Sequence, residues 1–361
     1  MARFPLPPGS TIGVLGGGQL GRMLAMAAGR LGLKTAVLDP DAGGPAAQVS
    51  AVEIVGAYDD ETALRRLAQA ADVITFEFEN VPADTVAALQ AAGADVAPGA
   101  RALAVAQDRV EEKSFLNAAG IETVAFAPIA SEQDLIQALR HMATPALLKT
   151  RREGYDGKGQ AWIESHEAGP AAWKAIGAKL AILEARADFR REVSVIAARG
   201  RDGEVATYPL CENHHEGGIL RRTTAPARAS RKLADHAEGI AHRILDGLDY
   251  VGVLAVEMFE LDDGRLLVNE IAPRVHNSGH WTLDGCQVDQ FEQHVRAIAG
   301  WPLGPTAAIA RTEMINLIGS DVDQWPKLAA ELDARLWLYG KAEARPGRKM
   351  GHFTRIRPRT S

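Results

Sequence analysis

Lys149 follows the apolar run Ala146-Leu147-Leu148, and from there to Gly159 the chain carries Arg151, Arg152, Lys158 and the glycines Gly154, Gly157 and Gly159. A lysine at the edge of a predicted strand, beside a loop whose glycines let amides approach an anion, suits the phosphates of a nucleoside triphosphate. A solvated hairpin has the same composition, so a second feature has to decide. Glu257 and Glu270 supply it. Ala255-Val256-Glu257-Met258-Phe259 and Leu267-Val268-Asn269-Glu270-Ile271 flank Asp262-Asp263-Gly264, a hairpin signal. Antiparallel pairing of these runs can bring both carboxylates, with Asn269, onto one face. Two carboxylates and an amide oxygen, with phosphate oxygens completing the shell, suit Mg²⁺. Solvated edge glutamates are the alternative, disfavoured by the apolar residues bracketing each one.

Arg274-Val275-His276-Asn277-Ser278-Gly279-His280-Trp281 follows directly. Its composition suits an anion pocket in which Arg274 balances developing negative charge. His276 and His280 have no third partner at a zinc-site spacing. His214-His215 reads as an exposed pair unless Asn213 and Glu192 draw it into a nucleotide site. Near the end, Arg345, Arg348 and Lys349 surround Gly347 and Gly351, a candidate second phosphate site. Apolar Phe353 and Ile356 then predict that this segment packs on the body.

Gly16-Gly17-Gly18-Gln19-Leu20-Gly21 satisfies G-x-G-x-x-G between a strand and a helix, and Asp39 closes the next strand. Alone, this predicts a nicotinamide-dependent oxidoreductase. A purely structural turn uses the same glycines, as does a turn that binds a phosphorylated substrate.

The elements that must position these groups divide along the chain. Strands at Thr11–Leu15, Thr35–Leu38, Asp72–Phe76 and Asp95–Ala97 alternate with helices at Leu20–Leu31 and Pro82–Ala92, predicting a doubly wound parallel sheet. Arg109–Ala119 reads as an amphipathic helix. Short strands at Ala146–Lys149, Gln160–Ile163 and Ala181–Glu184 around a helix near Glu167–Ala175 predict a small α+β unit holding the glycine loop. A strand-rich half follows: Glu192–Ala197, Val205–Leu210, Gly252–Phe259 and Arg265–Glu270, with a helix at Leu233–Leu245. The tail from Trp301 reads as a small β-rich module. The 361 residues suffice for two or three domains, and a net charge of −6 argues against a nucleic-acid scaffold. Two cysteines are too few for a disulfide framework and point to a reducing, cytoplasmic compartment; no run reaches membrane-spanning length.

Taken in order, Gly16 to Met23, Thr75-Phe76-Glu77-Phe78-Glu79-Asn80-Val81, Gln107-Asp108-Arg109, Lys149 to Gly159, Asn269-Glu270-Ile271-Ala272-Pro273-Arg274 and His276 to Thr282 form a recognisable set. Over nearly its whole length the chain resembles the ATP-grasp carboxylate-amine ligases, and among them the group that carboxylates 5-aminoimidazole ribonucleotide in bacterial purine synthesis. The resemblance implies an α/β and α+β chain: an ATP-grasp fold with an N-terminal Rossmann-like domain and a small C-terminal β-rich module. The divisions implied are 1–108, binding the ribonucleotide; 109–188, linker and lid; 189–300, metal and nucleotide; and 301–361. ATP, bicarbonate and 5-aminoimidazole ribonucleotide would be the substrates, Mg²⁺ the metal with Mn²⁺ its substitute, and a homodimer the assembly. Arg109 and Lys149 would hold phosphates, under a loop running from Gly154 through Tyr155, Asp156, Gly157, Lys158 and Gly159 to Gln160. Glu184, Ala185, Arg186 and Ala187 would form the adenine hinge, Glu192, His215 and Asn269 would complete the nucleotide site, and Glu257 and Glu270 would carry the metal. Gln19, Leu20, Glu79, Arg348 and Lys349 would bind the ribonucleotide with Arg274. Tyr155, Lys158, Arg274, His276 and Asn277 would line the bicarbonate region. The family commonly has arginine where this chain has Lys158. A formate-using glycinamide ribonucleotide transformylase is the alternative within the fold.

Overall fold

The computed structural model describes residues 4–152 and 159–357. The N-terminal region contains β1 (Thr11–Leu15), α1 (Gln19–Arg30), β2 (Lys34–Asp39), β3 (Val52–Val55), α2 (Glu61–Ala70), β4 (Val73–Phe76), α3 (Ala83–Ala91) and α4 (Ala100–Gln107). Its parallel strands run in the order β3-β2-β1-β4. The apolar run of β1 is buried almost throughout, as a central parallel strand covered on both faces requires. Asp60 starts α2 by accepting from the amides of Thr62 and Ala63. The expected strand at Asp95–Ala97 is reduced to a single bridge between Val96 and Ile74. Pro98 follows it and has no N–H with which to continue a ladder.

Asp108 caps α5 (Arg109–Ala118) by accepting from Val110 and Glu111. Beyond it lie β5 (Phe126–Ile129), α6 (Glu132–Leu139), β6 (Ala146–Thr150), β7 (Gln160–Ile163), α7 (Gly169–Ala175) and β8 (Ala181–Ala185). These strands form an antiparallel sheet in the order β5-β8-β6-β7. Leu135, Leu139 and Trp173 from its helices pack with Leu148 and Leu183 from its strands.

The large sheet contains β9 (Arg191–Arg199), β10 (Val205–Thr207), β11 (Cys211–Glu216), β12 (Ile219–Ala225), β13 (Gly252–Glu260) and β14 (Leu266–Ala272), with α8 (Arg231–Gly247) between β12 and β13. After α9 (Thr282–Gly285) and α10 (Gln290–Ile298) come β15 (Arg311–Ile318), α11 (Trp325–Ala330), β16 (Ala334–Leu338) and β17 (Lys349–Arg357). Among the described residues the order is β14-β13-β9-β11-β12-β15-β17-β16, with β10 on β9. The expected strand Val205–Leu210 stops at Thr207, and the ladder resumes on β9 only after Pro209. The C-terminal strands continue this sheet through the β12–β15 pair, so the β-rich module shares a sheet with the β13–β14 hairpin. Leu20, Leu24 and Ala28 of α1 pack against Phe291 and Val295 of α10, tying the N-terminal sheet to the large one. Ile240 and Ile244 of α8 cover Val195 and Leu254. Each such aliphatic side chain contributes about 1.5–3 kcal/mol by leaving water. Among the described residues no helix is long and apolar enough to cross a membrane.

Candidate active site

The three sheets meet around a cavity of about 1370 Å³. On its floor, β13 and β14 pair antiparallel with Glu257 directly opposite Glu270. Gly264, at φ +82°, makes the turn, and its amide donates to Leu261. The register shifts just past the pair, from Glu257↔Glu270 to Met258↔Val268, leaving Asn269 as the extra residue of a β-bulge. Burial and the neighbouring Glu270 push Glu257 up to about 7. Burial would raise Glu270 too, but Arg109 and Lys149 outweigh it and hold that carboxyl below the usual range. Glu257 Oε1 is buried without a hydrogen-bond partner. A buried, unsatisfied carboxylate facing a second one is costly until a cation joins them. The pair therefore fits a divalent metal. Among the described residues no cluster of three or more His, Cys, Asp or Glu could hold a metal.

Cations stand around this pair. Arg109 Nη1 lies 3.5 Å from Glu270 Oε2. Lys149 Nζ, on β6, is 2.6 Å from Glu184 Oε2, and Lys113 Nζ is 3.3 Å from the other oxygen of the same buried carboxylate. His215, on β11, pairs with Glu192, and this contact raises the imidazole pKa against the effect of burial. Arg151 Nε reaches the helix cap Asp108 at 2.5 Å, fixing the chain just ahead of the glycine loop.

The segment after β14 forms the opposite wall. Gln290 grips His276 through both backbone groups, accepting from its amide at 2.9 Å and donating to its carbonyl at 2.7 Å. Gly279 is required there, because an added Cβ would lie 2.4 Å from Gln290 Oε1. The Ser278 amide donates to His276 Nδ1 at 3.2 Å, which assigns the ring proton of the neutral imidazole to Nε2. Burial, with Arg274 and Lys349 nearby, holds His276 well below the usual histidine pKa. Arg274 Nη2 meets Glu79 Oε1 at 2.8 Å, joining this wall to the N-terminal domain. Beneath His276, Ser278, Ser194, Asn213 and Thr223 form a buried hydrogen-bonded chain.

The glycine turn behaves differently. The Gly17 amide donates to Asp39 Oδ2 at 2.6 Å, and the Gly18 and Gly21 amides donate to Glu77 at 2.8 and 3.3 Å. A Cβ on Gly16 or Gly18 would come within 2.8 Å of the Glu77 carboxyl. Tyr58 donates its hydroxyl to Asp39 at 2.9 Å. The anions that these glycines accommodate are the chain's own carboxylates. The positions that would anchor the pyrophosphate and ribose of a nicotinamide cofactor are thus in use, which argues against the oxidoreductase expectation for the turn.

Most of the site residues named from the sequence converge. Gln19, Leu20, Glu79, Arg109, Lys149, Gln160, Glu192, His215, Glu257, Asn269, Glu270, Arg274, His276, Asn277, Arg348 and Lys349 all line the cavity. Gly159 sits at its margin, where φ +67° and a Thr150 hydroxyl 2.7 Å from the Cβ position exclude a side chain. Glu184 turns its carboxylate to the two lysines. Ala185, Arg186 and Ala187 border a separate cleft of about 640 Å³ with Glu122 and Arg265. Gly154, Tyr155, Asp156, Gly157 and Lys158 lie outside the described residues. The sequence reading quoted Glu77 within the Thr75–Val81 motif but gave it no site role, and it passed over Glu112 and Lys113. Both of the latter are buried on α5, where an adjacent pair of charges on an apolar helix face was the available signal.

Comparison with known proteins shows the family. Residues 10–107 match the ribonucleotide synthetase preATP-grasp domain, 114–291 the ATP-grasp domain, and 312–361 the phosphoribosylaminoimidazole carboxylase C-terminal domain. The chain is 54% identical to N5-carboxyaminoimidazole ribonucleotide synthase of Brucella melitensis, over 100% of both chains. It superposes on the N5-carboxyaminoimidazole ribonucleotide synthetase of Thermus thermophilus with TM-score 0.90 and 48% identity, covering 96% of this chain and 93% of that one. It superposes on the Aspergillus clavatus synthase, solved with ADP and 5-aminoimidazole ribonucleotide, with TM-score 0.91 and 32% identity, covering 97% and 94%. Full-length likeness at this identity, with all three family domains matched in order, shows that the chain belongs to the N5-carboxyaminoimidazole ribonucleotide synthase family of ATP-grasp enzymes.

Proposed function

We propose that the chain carboxylates the amine of 5-aminoimidazole ribonucleotide, using ATP and bicarbonate and releasing ADP and phosphate. The observation that carries the reading is the direct opposition of Glu257 and Glu270 within one cavity that also presents Lys149, Arg109, Arg274 and Lys349. A bicarbonate oxygen attacks the γ-phosphorus and the bond to ADP breaks, giving carboxyphosphate. The ribonucleotide amine then attacks the carboxyl carbon, phosphate leaves, and the nitrogen gives up a proton. Lys149 and Arg109 neutralise the phosphate oxygens during the first transfer. Mg²⁺ at Glu257 and Glu270, or Mn²⁺ in its place, supplies charge compensation on those oxygens when bound. Arg274 and the Nε2–H of His276 stabilise the anionic carboxyl group as charge builds on it. Gln19, Glu79, Arg348 and Lys349, which line the same cavity, orient the ribonucleotide. The same proposal includes a homodimer, checked by sedimentation equilibrium, and a cytoplasmic location, in keeping with two cysteines in 361 residues.

Labelled bicarbonate tests the assignment. Label should enter acid-labile product only with ATP and 5-aminoimidazole ribonucleotide both present, one equivalent per ADP formed. ADP formation supported by glycinamide ribonucleotide and formate, with no bicarbonate label incorporated, would move the chain to the transformylase reading.

A further inference from the structure

Strand β14 is an edge of the large sheet, and the bulge at Asn269 takes one carbonyl out of its ladder. Edge groups of this kind need partners when buried. Two consecutive side chains of α5 provide them. Glu112 Oε1 accepts from the Ile271 amide at 2.7 Å, and Lys113 Nζ donates to the Asn269 carbonyl at 3.0 Å. The two contacts bracket Glu270. Glu112 and Lys113 are 2% and 1% exposed, so water does not substitute for either. Arg109, from the first turn of the same helix, reaches the Glu270 carboxylate itself. A buried glutamate and a buried lysine are each costly for a helix to carry into a core. Their expense is explained if they hold something whose placement matters.

We propose that Glu112 and Lys113 are positioning residues for Glu270: α5 grips the β14 backbone on both sides of it and maintains the bulge that sets its carboxylate against Glu257. The inference rests on the reading of Glu257 and Glu270 as the metal pair. Neither residue touches the cation; they act through the strand. Lys113 also bridges to Glu184 on β8, so the same helix braces the metal strand against the lid sheet.

The test uses the full chain with ADP and Mn²⁺, and follows cation binding by electron paramagnetic resonance, with amide hydrogen exchange at Ile271 as a second readout. Glu112→Leu removes the acceptor, Glu112→Gln keeps an oxygen for the Ile271 amide, and Lys113→Met removes the other grip. Leu and Met should each weaken Mn²⁺ binding by about tenfold or more, as loss of groups that orient a metal ligand does, while Gln retains most of the affinity. Exchange at Ile271 should accelerate in the Leu variant and remain slow with Gln. If Glu112→Leu does not fold, Lys113→Met carries the test, since Glu184 keeps Lys149 as a counter-ion. Wild-type Mn²⁺ affinity in Lys113→Met, with affinity lost in Glu270→Gln, would overturn the positioning role alone. Wild-type affinity in Glu270→Gln would instead remove the metal assignment on which the inference rests.

Discussion

The glycine turn at Gly16–Gly21 and the glutamate pair at Glu257 and Glu270 both have the composition of a ligand site, yet the fold treats them in opposite ways. At the turn, Asp39 and Glu77 already occupy the amides of Gly17, Gly18 and Gly21. At the pair, two carboxylates face each other across a hairpin and Glu257 Oε1 has no hydrogen-bond partner. In the first region the amides already have partners without a ligand, and in the second a buried carboxylate oxygen has none. A motif specifies which groups are present, and only their partners decide whether those groups await something from solution.

Mutation should separate the two regions by readout. The largest effect is expected at the pair. Glu270→Gln keeps shape but weakens cation binding, and turnover should fall about 100-fold or more, equivalent to about 3 kcal/mol in the barrier. Steady-state ADP formation measures this, with a thermal melt to establish that the fold survives. Turnover unchanged at saturating Mg²⁺ would make the pair as structural as the turn.

At the turn the loss should appear in stability. Glu77→Ala strands the Gly18 and Gly21 amides, and leaving the buried Gly21 amide unsatisfied costs about 1–3 kcal/mol. Urea unfolding of the metal-free chain should show this as a lower midpoint. A variant as stable as the parent would mean that those amides find another partner, and the contrast between the regions would weaken.

The smallest effect sharpens the comparison through pH. Without metal, folded Glu257 keeps its proton up to about 7, above the ordinary carboxylate value of 4.5 that the unfolded chain approaches. Between those values the folded state binds more protons, so this group makes stability fall as pH rises through the window and level off above it. Glu257→Gln should remove that part of the slope in unfolding curves taken across the range. A slope unchanged in the variant would assign it to other carboxyls.

What the sequence disclosed follows the range of the interactions involved. The Glu257–Glu270 pairing was legible because Asp263-Gly264 fixes a tight turn between two alternating runs, and a short hairpin leaves few registers. The Asn269 bulge was not, because the partner of its carbonyl, Lys113, comes from a distant helix. The role of Glu77 was hidden for the same reason: its partners are glycines on another strand-helix turn, and no local pattern links them. Arg311–Ile318 and Lys349–Arg357 went unread as strands because each depends on pairing with the other and with β12. Glu184 stands in the expected hinge, but its carboxylate is turned to Lys113 and Lys149, which come from α5 and from the neighbouring strand β6.

Anomalous diffraction at the manganese edge, from crystals grown with ADP and Mn²⁺, tests the central distinction most directly. The account predicts a peak at coordination distance, about 2.0–2.3 Å, from carboxylate oxygens of both Glu257 and Glu270, with the diphosphate beside Lys149 and Arg109. It also predicts that Gly17 and Gly18 still donate to Asp39 and Glu77. A diphosphate seated on the glycine turn, or a metal peak away from both glutamates, would contradict it.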